Sequence, residues 1–385
     1  MGRIQMCLVY IFPFVVVGGI LYLTMSGEED IRAGLFGSTP RIIEEKADIN
    51  AVNDWHTSKQ NQTIHDTYQK YRQQETFNHA RMTGKSRPTN NSFDSAKLPK
   101  IIGGSNTENP IITPHNFNMI LNEPNKCKNE EGNDSPVFFL VLIFSLQRNS
   151  LRRNAIRRTW GSPKDIKGKH IVTLFLLAND TTFKNGSSVE QESMQYKDIL
   201  MEDFTDTYKN LTYKTVMGVK WASTFCPNAN FIMKTDDDMY VNYVNIISHL
   251  TNLVIPTLNY VTGFVIHGGP IRSPKSKWYM PRSIYPDDRY PPFCSGSGYV
   301  FSGDVAKKVY EISLYTPYLY LEDVFFSICL NKLNIIPIKH NLFHNLFIPY
   351  SYCQFRHYFT CPCDKDPPKE VERIWVELKA QKDCD

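Results

Sequence analysis

Val137 to Phe144 (VFFLVLIF) is an unbroken apolar run of strand length, bounded by Ser135-Pro136 on one side and Ser145 on the other. Such a run has no polar face to give to solvent, so it belongs in a sheet covered on both sides. Two further apolar runs follow, Ile171 to Leu177 and the short Phe231-Ile232-Met233. Between them lie a basic helical stretch from Arg152 and a segment, Thr212 to Phe225, with helical spacing through Val216, Val219 and Ala222. Strands alternating with helices predict a mostly parallel α/β sheet, in which ligands bind beyond the carboxyl ends of the strands. The sequence contains no GxGxxG, Walker A or HExxH motif and no repeat with a period of about 20 to 50 residues.

The N-terminus sets the compartment. Met6 to Met25 carries no charge, with Arg3 before it and Glu28, Glu29 and Asp30 after it. Twenty residues at about 1.5 Å rise reach about 30 Å, the hydrocarbon thickness of a bilayer. A cleaved signal peptide has a shorter apolar stretch of about 7 to 15 residues, so an uncleaved anchor is expected. The order of charges places residues 1–5 in the cytosol, residues 6–25 in the membrane and the rest in the lumen, the topology of a single-pass type II protein. Six Asn-x-Ser/Thr sequons, at Asn61, Asn90, Asn133, Asn179, Asn185 and Asn210, suit a luminal chain. Of nine cysteines, Cys7 lies in the apolar segment and eight are luminal, an even number compatible with complete disulfide pairing. A zinc site built from Cys353, Cys361, Cys363, Cys384 and His357 is the rival to disulfides, which an oxidising lumen favours. Residues 26–134 are polar without a sustained period and read as a luminal stem, leaving 135–385 as one domain. The balance of 43 Lys plus Arg against 39 Asp plus Glu argues against a nucleic-acid partner.

Four segments have the residues for chemistry. Lys234-Thr235-Asp236-Asp237-Asp238 follows the third strand; Asp236 and Asp238 project alike and suit a hard divalent ion, Mn²⁺ or Mg²⁺, unless the segment is a solvated acidic turn. Arg153 and Arg157 share one helix face, where they meet a diphosphate or carboxylates, or only water if the helix is simply a solvated basic one. Leu321-Glu322-Asp323-Val324-Phe325-Phe326 embeds two acids among apolar residues; desolvation there raises a carboxyl pKa and favours a general base, whereas helix N-terminal acids read by the dipole are the plain alternative. Tyr290 to Tyr299 (YPPFCSGSGY) carries glycines that permit close backbone approach or a tight turn.

The ordered set RNAIRRTWG, KTDDDMYVN, YPPFCSGSGYVFSGDVA and LEDVFFSICL resembles the β1,3-galactosyltransferase family of Golgi glycosyltransferases. EDFTDTYKNLTYKT (202–215), PIRSPKSKWYMPR (270–282) and the segment around Arg373-Ile374-Trp375 are similar to that family too, so the resemblance spans about Pro136 to Lys379. It is closest in character to members that move galactose from UDP-galactose to terminal β-linked N-acetylglucosamine. The resemblance implies a nucleotide-sugar-binding, Rossmann-like α/β fold of GT-A type behind a single transmembrane helix, localisation to the Golgi membrane, dependence on Mn²⁺ and inversion at the anomeric carbon. It implies Asp323 as the catalytic base and Asp238, with Asp236, at the metal. Asp237, Arg153, Arg157 and Lys214 join Asp236 as candidates for UDP contacts, and Trp278, Tyr279, Gly296 and Glu322 for the acceptor sugar.

This sequence also departs from the family. Where members usually offer the metal a histidine in a His-x-x-x-Pro stretch, it reads Cys361-Pro362-Cys363-Asp364-Lys365-Asp366-Pro367. Counting back from Trp375 puts Asp364 at that place, counting forward from Tyr352-Cys353 puts Pro362 there, and His344 and His357 are further substitutes. Phe326-Ser327 stands where smaller residues are usual, and Ala178 where glycine is common. Two other readings keep the fold: transfer from UDP-N-acetylglucosamine or UDP-N-acetylgalactosamine, and an inactive luminal sugar-binding relative.

Overall fold

A computed structural model of the chain describes residues 110–183, 186–255, 257–363, 366–380 and 382–384. The apolar run 6–25, most of the expected stem, the sequons Asn61, Asn90 and Asn185, and Asp364 lie outside the described residues. Among the described residues no helix is long and apolar enough to cross a membrane.

In chain order the elements are β1 (Met119–Leu121), β2 (Val137–Phe144), α1 (Ser150–Arg158), β3 (Asp165–Ile166), β4 (Lys169–Asn179), α2 (Gly186–Tyr196), β5 (Ile199–Thr205), α3 (Leu211–Phe225), β6 (Ala229–Asp236), β7 (Met239–Val241) and α4 (Tyr243–Thr251). They continue with β8 (Val261–Ile266), β9 (Phe293–Ser302), α5 (Gly303–Ser313), α6 (Glu322–Lys332), β10 (Ile338–Lys339), α7 (Tyr352–Phe355), β11 (Thr360–Pro362) and α8 (Pro367–Lys379).

One nine-stranded sheet runs in the order β1-β5-β4-β2-β6-β9-β8-β10, with β3 paired to β4. Strands β5, β4, β2 and β6 are parallel, as the alternation of strands and helices predicts. The far half is mixed, because β9 runs antiparallel to both of its neighbours, β6 and β8. The apolar run at Val137 coincides with β2, which lies between β4 and β6 and is covered on both faces. Its alternate residues divide between two cores. Leu140, Leu142 and Phe144 pack with Val216 and Val219 of α3, Val305 of α5 and Phe325 of α6. Phe139, Val141 and Ile143 pack on the other face with Ile156 of α1, Ile246 of α4 and Ile374 of α8. Helices therefore cover both sides and leave the strand ends as the open edge.

The folded body begins before the composition change at Ser135. Strand β1 pairs antiparallel with β5, His115 meets Glu202 at 2.7 Å with both side chains buried, and Cys127 is bonded to Cys226. A three-residue edge strand and a single disulfide leave no hydrophobic period, which is why this stretch reads as stem. Cys353 and Cys384 form a second disulfide, which removes both from the rival zinc set. Complete pairing is not realised among the described cysteines: Cys294, Cys329, Cys361 and Cys363 are free thiols.

Candidate active site

From β2 the chain moves outward to β4 and β5, and then returns to place β6 on the other flank of β2. The winding reverses between β2 and β6, and ligands of open α/β sheets bind in the crevice at that point. Two loops meet there, the one after β2 and the acidic turn after β6.

The three consecutive aspartates have separate environments. Asp237 is buried and fully engaged: its amide donates to the Phe144 carbonyl at 3.0 Å, and its carboxylate accepts from Ser145 Oγ at 2.6 Å, Asn149 Nδ2 at 2.9 Å and Arg152 at 2.8 Å. It ties the two loops together, so the expectation that it contacts UDP meets a carboxylate already satisfied by the protein. Asp236 and Asp238 flank it with side chains 40% and 51% exposed. Lost solvation and the charge of Asp238 push the Asp236 carboxyl up to about 6, against the pull of Lys234. Lost solvation and the neighbouring Asp237 raise Asp238 as well. Two half-exposed oxygen-donor carboxylates that resist ionisation suit a hard divalent cation, which removes their repulsion and accepts oxygen ligands from substrate or water as well. Among the described residues no third His, Cys, Asp or Glu completes a metal-holding group with them. His344 and His357 therefore do not stand in for the missing family histidine; His344 packs instead on the Tyr358 ring at 4.0 Å. Strand β11 does pass beside the aspartates: it pairs with β7, and the Cys363 amide donates to the Asp238 carbonyl at 2.8 Å.

Glu322 and Asp323 open helix α6, where their charge meets the positive end of the helix dipole. Glu322 is buried, taking hydrogen bonds from Thr215 Oγ1 at 2.9 Å and Tyr299 OH at 3.1 Å on one oxygen, with Lys234 at 2.9 Å from the other. Asp323 accepts from the Gly296 amide at 3.1 Å. Burial, with the Glu322 charge beside it, pushes the Asp323 carboxyl up to about 7. Gly296 is neither a tight turn nor at positive φ; it lies inside β9. A Cβ there would come within 2.6 Å of a Glu322 carboxylate oxygen, so a larger residue would push that carboxylate from its place beside Lys234.

The basic residues expected at the diphosphate are used elsewhere. All five guanidinium donors of Arg153 are engaged: two on Glu192 at 2.8 and 2.6 Å, the others on Ser145 Oγ and the Leu146 and Gln147 carbonyls. With the side chain fully buried, no donor is left for a ligand. Arg157 turns to Asp198 and Glu192 and stacks over Tyr196 at 4.0 Å. Lys214 is enclosed between Asp206 at 2.8 Å and the Ser145 carbonyl at 2.8 Å. Besides Lys234, which lies 2.8 Å from Asp236, Arg152 reaches the acidic turn, 2.8 Å from Asp237 and 3.8 Å from Asp238. Helical spacing missed it because it favours the Arg153/Arg157 stripe, which faces α2. Tyr208 was missed also; the loss of water around it and the charges of Asp323 and Glu322 push its hydroxyl up to about 12.

Trp278 and Tyr279 lie in the loop between β8 and β9; Trp278 is 48% exposed, with the Lys277 ammonium 4.6 Å over its ring. Phe326 is core rather than pocket, with ring centroids 4.9 Å from Tyr299 and 5.2 Å from Phe301. Ser327 donates to the Pro292 carbonyl, and Ala178 is buried at the end of β4. Of the described sequons, Asn133 is exposed and Asn179 half-buried. Asn210 donates its side-chain amide to the Thr205 carbonyl at 2.8 Å at an exposed position.

A family model described as Galactosyltransferase matches residues 151–341. The chain is 46% identical over 272 residues to beta-1,3-galactosyltransferase 1 of Homo sapiens, covering 70% of this chain and 81% of the relative. It is 44% identical over 259 residues to beta-1,3-galactosyltransferase 5 of Pan troglodytes, covering 65% and 84%. Among solved structures, a glycosyltransferase involved in glycosylation of the PBCV-1 major capsid matches 62% of this chain and 98% of its own, with 10% identity and a TM-score of 0.36, too low to carry an argument.

Proposed function

The chain belongs to the β1,3-galactosyltransferase family and is a galactosyltransferase enzyme, and from that premise we propose that it moves galactose from UDP-galactose to the 3-hydroxyl of a terminal β-linked N-acetylglucosamine, with inversion at the anomeric carbon. The observation that carries this reading is Asp323: a carboxyl pushed up to about 7 and held by the Gly296 amide, in one network with the half-exposed Asp236 through Glu322 and Lys234. A base with a pKa near working pH is suited to take up a proton during the reaction.

The reaction is one displacement. The acceptor oxygen bonds to C1 of galactose as the C1–O bond to UDP breaks, the electron pair leaves with the diphosphate, and Asp323 takes the acceptor hydroxyl proton. Asp236 and Asp238 hold the divalent ion, Mn²⁺ or Mg²⁺, in this reading. When bound, that ion supplies positive charge to stabilise the departing diphosphate. Arg152 keeps the acidic turn in place by its contact with Asp237. Trp278 and Tyr279 offer the acceptor sugar ring faces. The same reading makes residues 1–5 a cytoplasmic tail, 6–25 a signal anchor and the residues up to the folded body a luminal stem, in a type II protein of the Golgi membrane. The sequons and the charges flanking the apolar run support that placement.

The test offers the full-length enzyme UDP-galactose, UDP-N-acetylglucosamine and UDP-N-acetylgalactosamine, with acceptors ending in N-acetylglucosamine, galactose or N-acetylgalactosamine, with and without Mn²⁺. Expected is a β1,3-linked galactose on N-acetylglucosamine, formed when the ion is present. Transfer from another donor alone overturns the galactose assignment, and a retained anomeric configuration overturns the single displacement.

A further inference from the structure

Lys234 has an unusual set of neighbours for a residue that begins an acidic motif. Its ammonium lies 2.8 Å from Asp236 Oδ1, 2.9 Å from Glu322 Oε1 and 2.5 Å from the Gly296 carbonyl. Two of the three ammonium donors are hydrogen-bonded, to Asp236 and to the Gly296 carbonyl, and the Glu322 carboxylate is held as an ion pair. The side chain is 6% exposed and the charge rests 4.3 Å over the Phe144 ring. A lysine beside a donor site is ordinarily expected to touch phosphate; this one is enclosed by protein oxygens and has little access to solvent.

Each of its partners is instead attached to something else. Gly296, whose carbonyl Lys234 holds, gives its own amide to Asp323. Glu322 precedes Asp323 in the first turn of α6 and is fixed on its other oxygen by Thr215 and Tyr299. Asp236 lies on the side of the acidic turn. We propose that Lys234 is a positioning residue for acceptor activation: it compensates Glu322 and anchors Gly296, and through these two it sets where Asp323 stands and which charge it faces. The proposal rests on Asp323 being the base of the transfer reaction. Without Lys234, Glu322 is a buried charge with no cation beside it, next to the carboxylate that must take the proton. Anchorage of Asp323 by the Gly296 amide loosens at the same time.

The full-length enzyme and its K234M, K234R and K234M/E322Q variants are assayed for kcat, for donor and acceptor KM, and for thermal unfolding. K234M is expected to lower kcat on the order of 100-fold with donor KM changed by less than about threefold, because the loss falls on proton removal rather than on donor binding. K234R keeps the charge but not the point geometry, so it is expected to fold and to lose on the order of tenfold in kcat. Removing the opposing charge in K234M/E322Q is expected to recover on the order of tenfold over K234M, which a role limited to holding the fold does not give. Wild-type kcat in K234M or K234R overturns the proposal. So does a donor KM that rises in step with the loss of kcat, or a double variant whose losses simply add. If K234M does not fold, K234R alone decides by its kcat and donor KM. An unimpaired D323N variant of an enzyme that transfers overturns the reading of Asp323 and this proposal with it, whereas an impaired D323N beside an unimpaired K234M overturns this proposal alone.

Discussion

On the β4–β5 side of the sheet, buried charges form closed sets: Arg153 with Glu192, Arg157 with Glu192 and Asp198, and Lys214 with Asp206. Between β6 and α6 they do not. Asp236, Asp237, Asp238, Glu322 and Asp323 stand against Lys234 and Arg152, five carboxylates to two cations. Paired buried charges hold a scaffold, because removing one partner leaves the other without compensation. An unbalanced group persists only where the fold enforces it and something else completes it. The two regions sit on either side of β2, and both use residues that look alike in the sequence. Exposure and the number of free donors or acceptors distinguish them, not residue type.

The largest effect separates the regions most cleanly. Asp323→Asn is expected to lower kcat by about 10²- to 10⁴-fold, the range for loss of a general base, with little change in thermal unfolding. An Asp323→Asn enzyme with wild-type turnover would falsify the assignment. The same carboxyl predicts the pH profile: raised to about 7, it is protonated below that pH and has no room for the acceptor proton. kcat/KM is therefore expected to rise about tenfold per pH unit below 7 and to level off above it, a limb that a plateau down to pH 5 would contradict.

On the scaffold side, Arg153→Met is expected to cost about 3 to 5 kcal/mol of stability, because it strips a buried ion pair of one partner. Denaturant unfolding measures this, and turnover per folded molecule should stay near wild type. A stable variant with lost turnover would move Arg153 into the site and dissolve the contrast.

Buried groups with no counter-charge make a third case. The rings of His249 and His340 pack 4.6 Å apart, and burial pushes their pKa values down to about 4 and about 3. The folded state keeps them neutral while the unfolded chain binds protons below about pH 6.5, so stability falls as pH drops through that window. Between pH 6.5 and 5 each contributes a loss of up to about 2 kcal/mol. Thermal unfolding across that range, compared with His340→Phe, reads it; an unchanged slope in the variant would clear the pair. The smallest effect is Arg152→Ala, expected to lower kcat/KM about tenfold for less than about 1 kcal/mol of stability, since its side chain is 31% exposed.

Much of the fold was legible where periodicity is strong. Strands β2, β4 and β6 are apolar runs, and helix α3 shows its spacing, because burial on two faces leaves a direct mark on residue choice. Strand β9 was not legible as a strand: Cys294-Ser295-Gly296-Ser297-Gly298 has little strand propensity, and only pairing with β6 and β8 makes it one. Strand β1 was invisible for the same reason. Within the site, Asp236, Asp238 and Asp323 stood out by their neighbours in sequence. Arg152 and Lys234 did not, because what marks them is a partner 85 or 88 residues away, respectively Asp237 and Glu322. Arg153 and Arg157 were misplaced because helical spacing says which residues share a face, not what that face meets.

The two disulfides divide the molecule in another way. Cys127–Cys226 closes a loop of 99 residues that contains β2, α1, β4, α2, β5 and α3, and Cys353–Cys384 closes one of 31 around α7, β11 and α8. A protease that cuts inside either loop leaves the pieces covalently joined until a reductant is added. Between Cys226 and Cys353 no described disulfide spans the chain, and that interval carries the three aspartates, Gly296, Glu322 and Asp323. A single cut there releases two fragments on a non-reducing gel. Among the described residues, the stretch bearing the chemistry thus lies outside both disulfide loops, where continuity depends on peptide bonds alone.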